Sequence, residues 1–171
     1  MTHVARYGTT RAGLVAVLDR RIGRWLRAAD GDEAAGDAAI AARAAARRVA
    51  DRLVALGVVN DAAVAASRAR NLTRAGRSRR AVAAHLAVRG IDRETAQAVL
   101  PDDPEVELAA AAAYARRRRL GPFRAVEDDA AREMKEMAAF GRAGFSREVA
   151  LRALRMGREE AEALLHAARA A

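Results

Sequence analysis

Cysteine is absent from this 171-residue chain, which excludes a disulfide framework, a thiolate zinc site and a thiol nucleophile. Aromatic residues are only 4% of the total and prolines number three. The first shortage argues against one large core, and the second, with few strand-type runs, favours helices throughout. Lys135 is the single lysine among 31 basic residues. No stretch reaches the roughly 18 apolar residues of a spanning helix, and nothing near the start resembles a signal peptide. The expectation is a soluble, cytoplasmic, unprocessed protein with no membrane partner. Catalytic signatures are missing as well. His3, His85 and His166 lie far apart, none in a metal-binding spacing, and no carboxylate pair stands out. No catalytic or metal residue is nominated, no cofactor is called for, and a non-enzymatic role is expected.

What is present is alanine and arginine. Apolar residues make up 52% of the chain, much of this alanine, so the interior should consist of close helix contacts through small side chains. The net charge is +9 and the pI about 11.3. A guanidinium grips carboxylate or phosphate at two points, so acidic proteins and nucleic acids are both candidate partners.

The chain repeats itself. "GIDRETAQAVL" at 90–100 returns at 144–154 as "GFSREVALRAL", with Gly, Arg, Glu, Ala and Leu at the same offsets. Asp92 and Ser146 are both good helix caps, and Ala96, Val99 and Leu100 match Ala150, Ala153 and Leu154 in spacing. Around this phrase the periodicity predicts further helices. Thr10 caps one with Leu14, Leu18, Ile22, Trp25 and Leu26 inward. An acidic loop at 29–37 precedes a second, marked by Ile40, Val49, Leu53 and Leu56 and stopped by Gly57. Asp61 caps a third, with Val64, Ala65, Ala69 and Leu72 inward, and Gly76 ends it. Ser78 opens a helix buried through Val82 and Leu86. Asp103 and Pro104 open another, "LGPF" forms a turn, and Ala130, Met134, Met137 and Phe140 line the core side of the next. "GRAG" at 141–144 has the spacing of a KH-domain loop, but KH domains need strands, so a helix-to-helix turn is the better reading. The fold class is all-α: tandem three-helix repeats stacked into an elongated, curved array.

The candidate binding residues are arginines. Arg70, Arg74 and Arg77 fall at i, i+4 and i+7, Arg79 and Arg80 begin the next helix, and Arg89 follows it. Arg116, Arg117, Arg118 and Arg119 lie in the last turn of a helix, where the dipole favours cations in any case. Many charge runs are solvated faces. Uncompensated cations on one face repel each other, however, and a binding role supplies a reason to keep them.

At "NDAAVAASRARNLTRAGRSRRAVAAHLAVRGIDRETAQAVL" the sequence resembles the RecX family, regulators of the RecA recombinase. Asp61, Ala65, Arg70, Gly76, Val82, Leu86, Arg89, Gly90 and Ile91 carry the resemblance. Val64 and Arg68 stand where the family usually has aromatics, and His85 where an acidic residue is common. "ARRRRLGPFR" and "GFSREVALRAL" are similar to the third repeat of that family. The likeness covers 60–156 and, more loosely, 9–57. It implies a first, N-terminally shortened repeat at 1–57, a second at 58–100, a third at 101–156 and a capping helix at 157–171. It also implies a monomer that binds the RecA filament, RecA protein plus DNA, along its groove and mainly inhibits it, with weak direct nucleic-acid binding. An independent DNA-binding or architectural protein is the alternative.

Overall fold

A computed structural model of the chain describes residues 8–29, 33–125 and 130–170. Among these residues it is built of α-helices with no strand. They are α1 (Arg11–Ala28), α2 (Glu33–Ala55), α3 (Asp61–Arg74), α4 (Arg79–Val88), α5 (Arg93–Val99), α6 (Pro104–Arg118), α7 (Ala130–Arg142), α8 (Arg147–Arg155) and α9 (Arg158–Ala170), with a 3-10 turn at Gly121–Phe123. It is an all-α repeat array.

Helices start where a short polar side chain supplies a partner for a first-turn N–H. Thr10, Ser78, Asp92, Asp103 and Ser146 accept from the amides of Gly13, Ala81, Thr95, Glu105 and Val149. At α3 the cap is Asn60 rather than the expected Asp61, its side chain accepting from the Ala63 amide. Asp61 is thereby free to accept from the backbone N–H of Arg11 at 2.8 Å, which ties the start of α1 to α3. The acidic stretch expected as a loop is helical from Glu33 onward. Residues 30–32, His3 and the side chain of Ala130 lie outside the described residues.

The repeated phrase is a repeated structure. Gly90 and Ile91 donate their amides to the carbonyls of Ala87 and Leu86, and fifty-four residues later Gly144 and Phe145 donate to Gly141 and Phe140. Both glycines take positive φ, +73° and +90°, the left-handed helix stop that glycine adopts without a Cβ clash. Leu86 and Phe140, Ile91 and Phe145, Ala96 and Ala150, and Leu100 and Leu154 are buried at matching places. In α3–α5 they close a core with Ala65, Ala69 and Val82. In α6–α9 the core holds Leu108, Leu154, Leu165 and the rings of Phe123, Phe140 and Phe145, with Phe140 and Phe145 5.5 Å apart and Tyr114 set edge-on to Phe140 at 5.0 Å.

Helix α6 links the two cores. Its run Leu108–Ala113, with Ala115, is buried around most of the circumference, as a helix packed on several sides must be. Small side chains let α3 come close. A Cβ on Gly76, where φ is +78°, would stand 2.6 Å from the Tyr114 nitrogen. Ser78 caps α4 and also donates to the Ala143 carbonyl at 2.7 Å, while the Arg79 amide donates to Glu107 at 2.9 Å. Glu136, which the sequence pattern did not single out, is buried beneath the 3-10 turn. It accepts from the Gly121 amide at 3.0 Å and from Arg124 at 2.7 Å, so its charge is compensated.

Large apolar residues at the N-terminal end depart from expectation. α1 has no buried residue, and α2 buries Ala35, Ala39, Ala46 and Ala50. Alanines let the two helices approach closely, and this pushes flanking residues outward. Trp25 is 50% exposed and Ile40 66%, with Val49 and Leu56 also exposed. They are therefore not core: among the described residues α1 and α2 pack chiefly on each other and leave these flanks open. Met134 is 74% exposed as well. The inward side of α7 is taken by Glu136, Met137 and Phe140, and Met134 falls outside it.

Candidate functional site

Arg70 and Arg74, one turn apart on α3, are exposed. α3 ends at Arg74, and the turn through Gly76 redirects the chain. Arg77 therefore does not continue their stripe, since the helical i+7 relation needs an unbroken helix. The residue that joins them is Arg116, brought from the last turn of α6. Together with Arg169 of α9, these arginines rim a cavity of about 310 Å³ whose walls include Ala69, Val99, Val106, Ala109 and Leu165. Among the described residues no carboxylate lines it. Among the described residues none of the four rim arginines has an ion pair or a side-chain hydrogen bond. Arg169 was missed in the sequence. Its spacing from Leu165, four residues on a helix, was a usable signal for one face.

The remaining candidates are distributed differently. Arg117 donates to the Ala75 carbonyl at 2.6 Å and lies 5.8 Å from the centre of the Tyr114 ring. It brackets the end of α3 to α6. Arg79 faces Asp102 at 3.5 Å. Arg80 is exposed, its stem beside Gly144. Arg118 is exposed, and Arg119 caps α6 in the left-handed conformation, φ 56°. Arg89 is exposed too, and its carbonyl accepts from the Thr10 hydroxyl at 2.9 Å.

A second basic cluster surrounds His85. Burial holds the pKa of its imidazole below the ordinary value, and repulsion from Arg89, Arg68 and Arg77 lowers it further. Its Nε2 is buried without a hydrogen-bond partner among the described residues. Arg77 and Arg89 thus belong with Arg68, which was not among the expected binding residues. Glu107 is shifted the other way. Burial raises its pKa, against the Arg79 amide and the Arg79 charge, which lower it.

Among the described residues no group of three or more potential ligands could hold a metal, and no helix is long and apolar enough to cross a membrane. What the arrangement offers chemically is two sets of guanidinium donors, one of them around an apolar hollow.

Comparison with known proteins bears on residues 60–100 first. They match a family model described as RecX, second three-helix domain, the span of α3–α5. The regulatory protein RecX of Agrobacterium fabrum is 42% identical over 107 residues, 63% of this chain and 57% of that relative. The regulatory protein RecX of Myxococcus xanthus is 35% identical over 147 residues, 84% of this chain and 75% of its own length. No solved structure matches.

Proposed function

The chain belongs to the RecX family, and from that premise we propose that it modulates the RecA recombinase, mainly by inhibition, lying as a cytoplasmic monomer in the groove of the RecA–DNA filament. The observation that carries this reading is the convergence of Arg70, Arg74 and Arg116, from α3 and α6, on one face with no counter-charge among the described residues. Such a filament presents acidic protein surface and phosphate side by side, and a long basic array can meet both. Occupancy of the groove then restrains filament extension and strand exchange with no chemistry required of the protein.

The outer cluster of Arg68, Arg77 and Arg89, with Arg80 and the exposed Arg118 and Arg119, supports weak contact with phosphate. If about three phosphates are engaged, log affinity for duplex DNA falls with log salt at a slope of about −3. Tight, sequence-selective duplex binding without RecA would instead favour an independent DNA-binding protein.

The test is a RecA strand-exchange reaction. Wild-type protein is expected to inhibit it, and the variant Arg70→Ala/Arg74→Ala/Arg116→Ala to inhibit much less while melting near wild type, since exposed substitutions shift stability by about 0.5 kcal/mol or less each. Folded wild-type protein with no effect at any ratio would overturn the proposal.

A further inference from the structure

We propose that the cavity between α3, α6 and α9 is a docking groove for an acidic amphipathic segment of a partner protein. The segment seats an aliphatic side chain on the floor and lays carboxylates on the rim. The inference goes beyond the RecA reading and holds whichever protein supplies the segment.

Three observations select this occupant. The floor is apolar, formed by Ala69, Val99, Val106 and Leu165, and the volume of about 310 Å³ is at the lower bound of ligand sites, roughly 300 Å³. That suits one or two side chains of leucine size. Above the floor stand Arg70, Arg74, Arg116 and Arg169, with no acid among the described lining residues. Several acids near the lining in sequence are engaged elsewhere: Asp102 and Glu107 with Arg79, Asp103 with the Glu105 amide, Glu105 with Arg152 at 2.8 Å, Asp61 with the Arg11 amide and Glu162 with Arg158 at 3.0 Å. The rim charge is therefore left for an outside anion.

A nucleic-acid strand fits this groove less well. Strand recognition without sequence preference relies on aromatic side chains beneath the bases, and the lining contains none. Phosphates would engage the rim and leave the apolar floor uncovered. A helical peptide with leucines one turn apart and glutamates beside them fills both parts, the groove-binding mode in which an apolar stripe supplies the anchors.

The probe is a fluorescein-labelled helical peptide of Glu and Ala with two leucines one turn apart, followed by fluorescence polarisation against the full chain. Controls replace the leucines by Ala or the glutamates by Gln, and labelled oligo(dT) serves as the nucleic-acid probe. The expected result is saturable binding that weakens about tenfold or more, the equivalent of about 1.4 kcal/mol, with either control peptide. Ala168→Phe, at the half-buried wall of the groove, keeps every charge and should weaken the peptide by a similar factor while leaving oligo(dT) binding unchanged. If that variant melts low, Thr73→Phe from the opposite wall is the replacement. Equal binding of the leucine and alanine peptides, or indifference to both filling variants, overturns the groove. Equal loss of peptide and oligo(dT) in the filled variants assigns it to nucleic acid and also overturns the proposal. Peptide binding that survives a failed strand-exchange assay sinks the RecA reading alone.

Discussion

His85 shows how one side chain can set a pH dependence. Its folded-state pKa lies below the ordinary value of 6.5, chiefly through burial and then through Arg89, Arg68 and Arg77. The unfolded chain therefore binds more protons than the folded one in the window just below that value. Stability rises with pH through the window and is lost as pH falls toward the folded pKa. Urea titrations at pH 7.5 and 5.5 should find wild type weaker at the lower pH and His85→Gln much less affected. An equal loss in the variant would assign the effect to other groups. Leu86 sets a contrasting case one residue on. It is fully buried, so Leu86→Ala should cost about 2–5 kcal/mol, read as a lower melting temperature at any pH.

At the scale of elements, caps and stops were the most legible part of the sequence. Thr10, Ser78, Asp92, Asp103 and Ser146 act as their residue types suggest, because capping is local chemistry between neighbours along the chain. The faces of α4, α5 and α8 were readable for a related reason: each packs one stripe on one core. What escaped depended on partners distant in the sequence. Asn60 caps α3 while Asp61 reaches Arg11, and alanines rather than Ile40 and Val49 form the inner face of α2. Glu136 is buried because Gly121 and Arg124 come to meet it. The basic stripe was half legible: Arg70 and Arg74 share a face, but only the fold adds Arg116 and Arg169 and sends Arg77 elsewhere. These contrasts also rank the caps. Asp92→Ala should cost about 1 kcal/mol. Ser78→Ala should cost more, since it also removes the bond to Ala143 and leaves that carbonyl without its donor. Chemical denaturation of the two variants side by side checks the order.

Across the whole molecule, firmness is uneven. The α1–α2 hairpin meets the rest through Thr10 to Arg89, Arg11 to Asp61 and the close approach of Ala12 to Gly90, and it buries no large side chain. Its amides should exchange hydrogen faster than those of α4, α6 and α8 in native-state mass spectrometry. Equal protection throughout would contradict this account. From α3 onward the two cores are joined by Ser78 to Ala143, Arg79 to Glu107 and Arg117 to Ala75. A body of fixed outline laid along a helical polymer touches it along its full length at one rise and twist only, and at any other one end lifts away. If the chain lies in the filament groove as proposed, that junction makes it a gauge of pitch, and it would bind the matching state of the polymer more tightly and, by that difference in affinity alone, hold the polymer there.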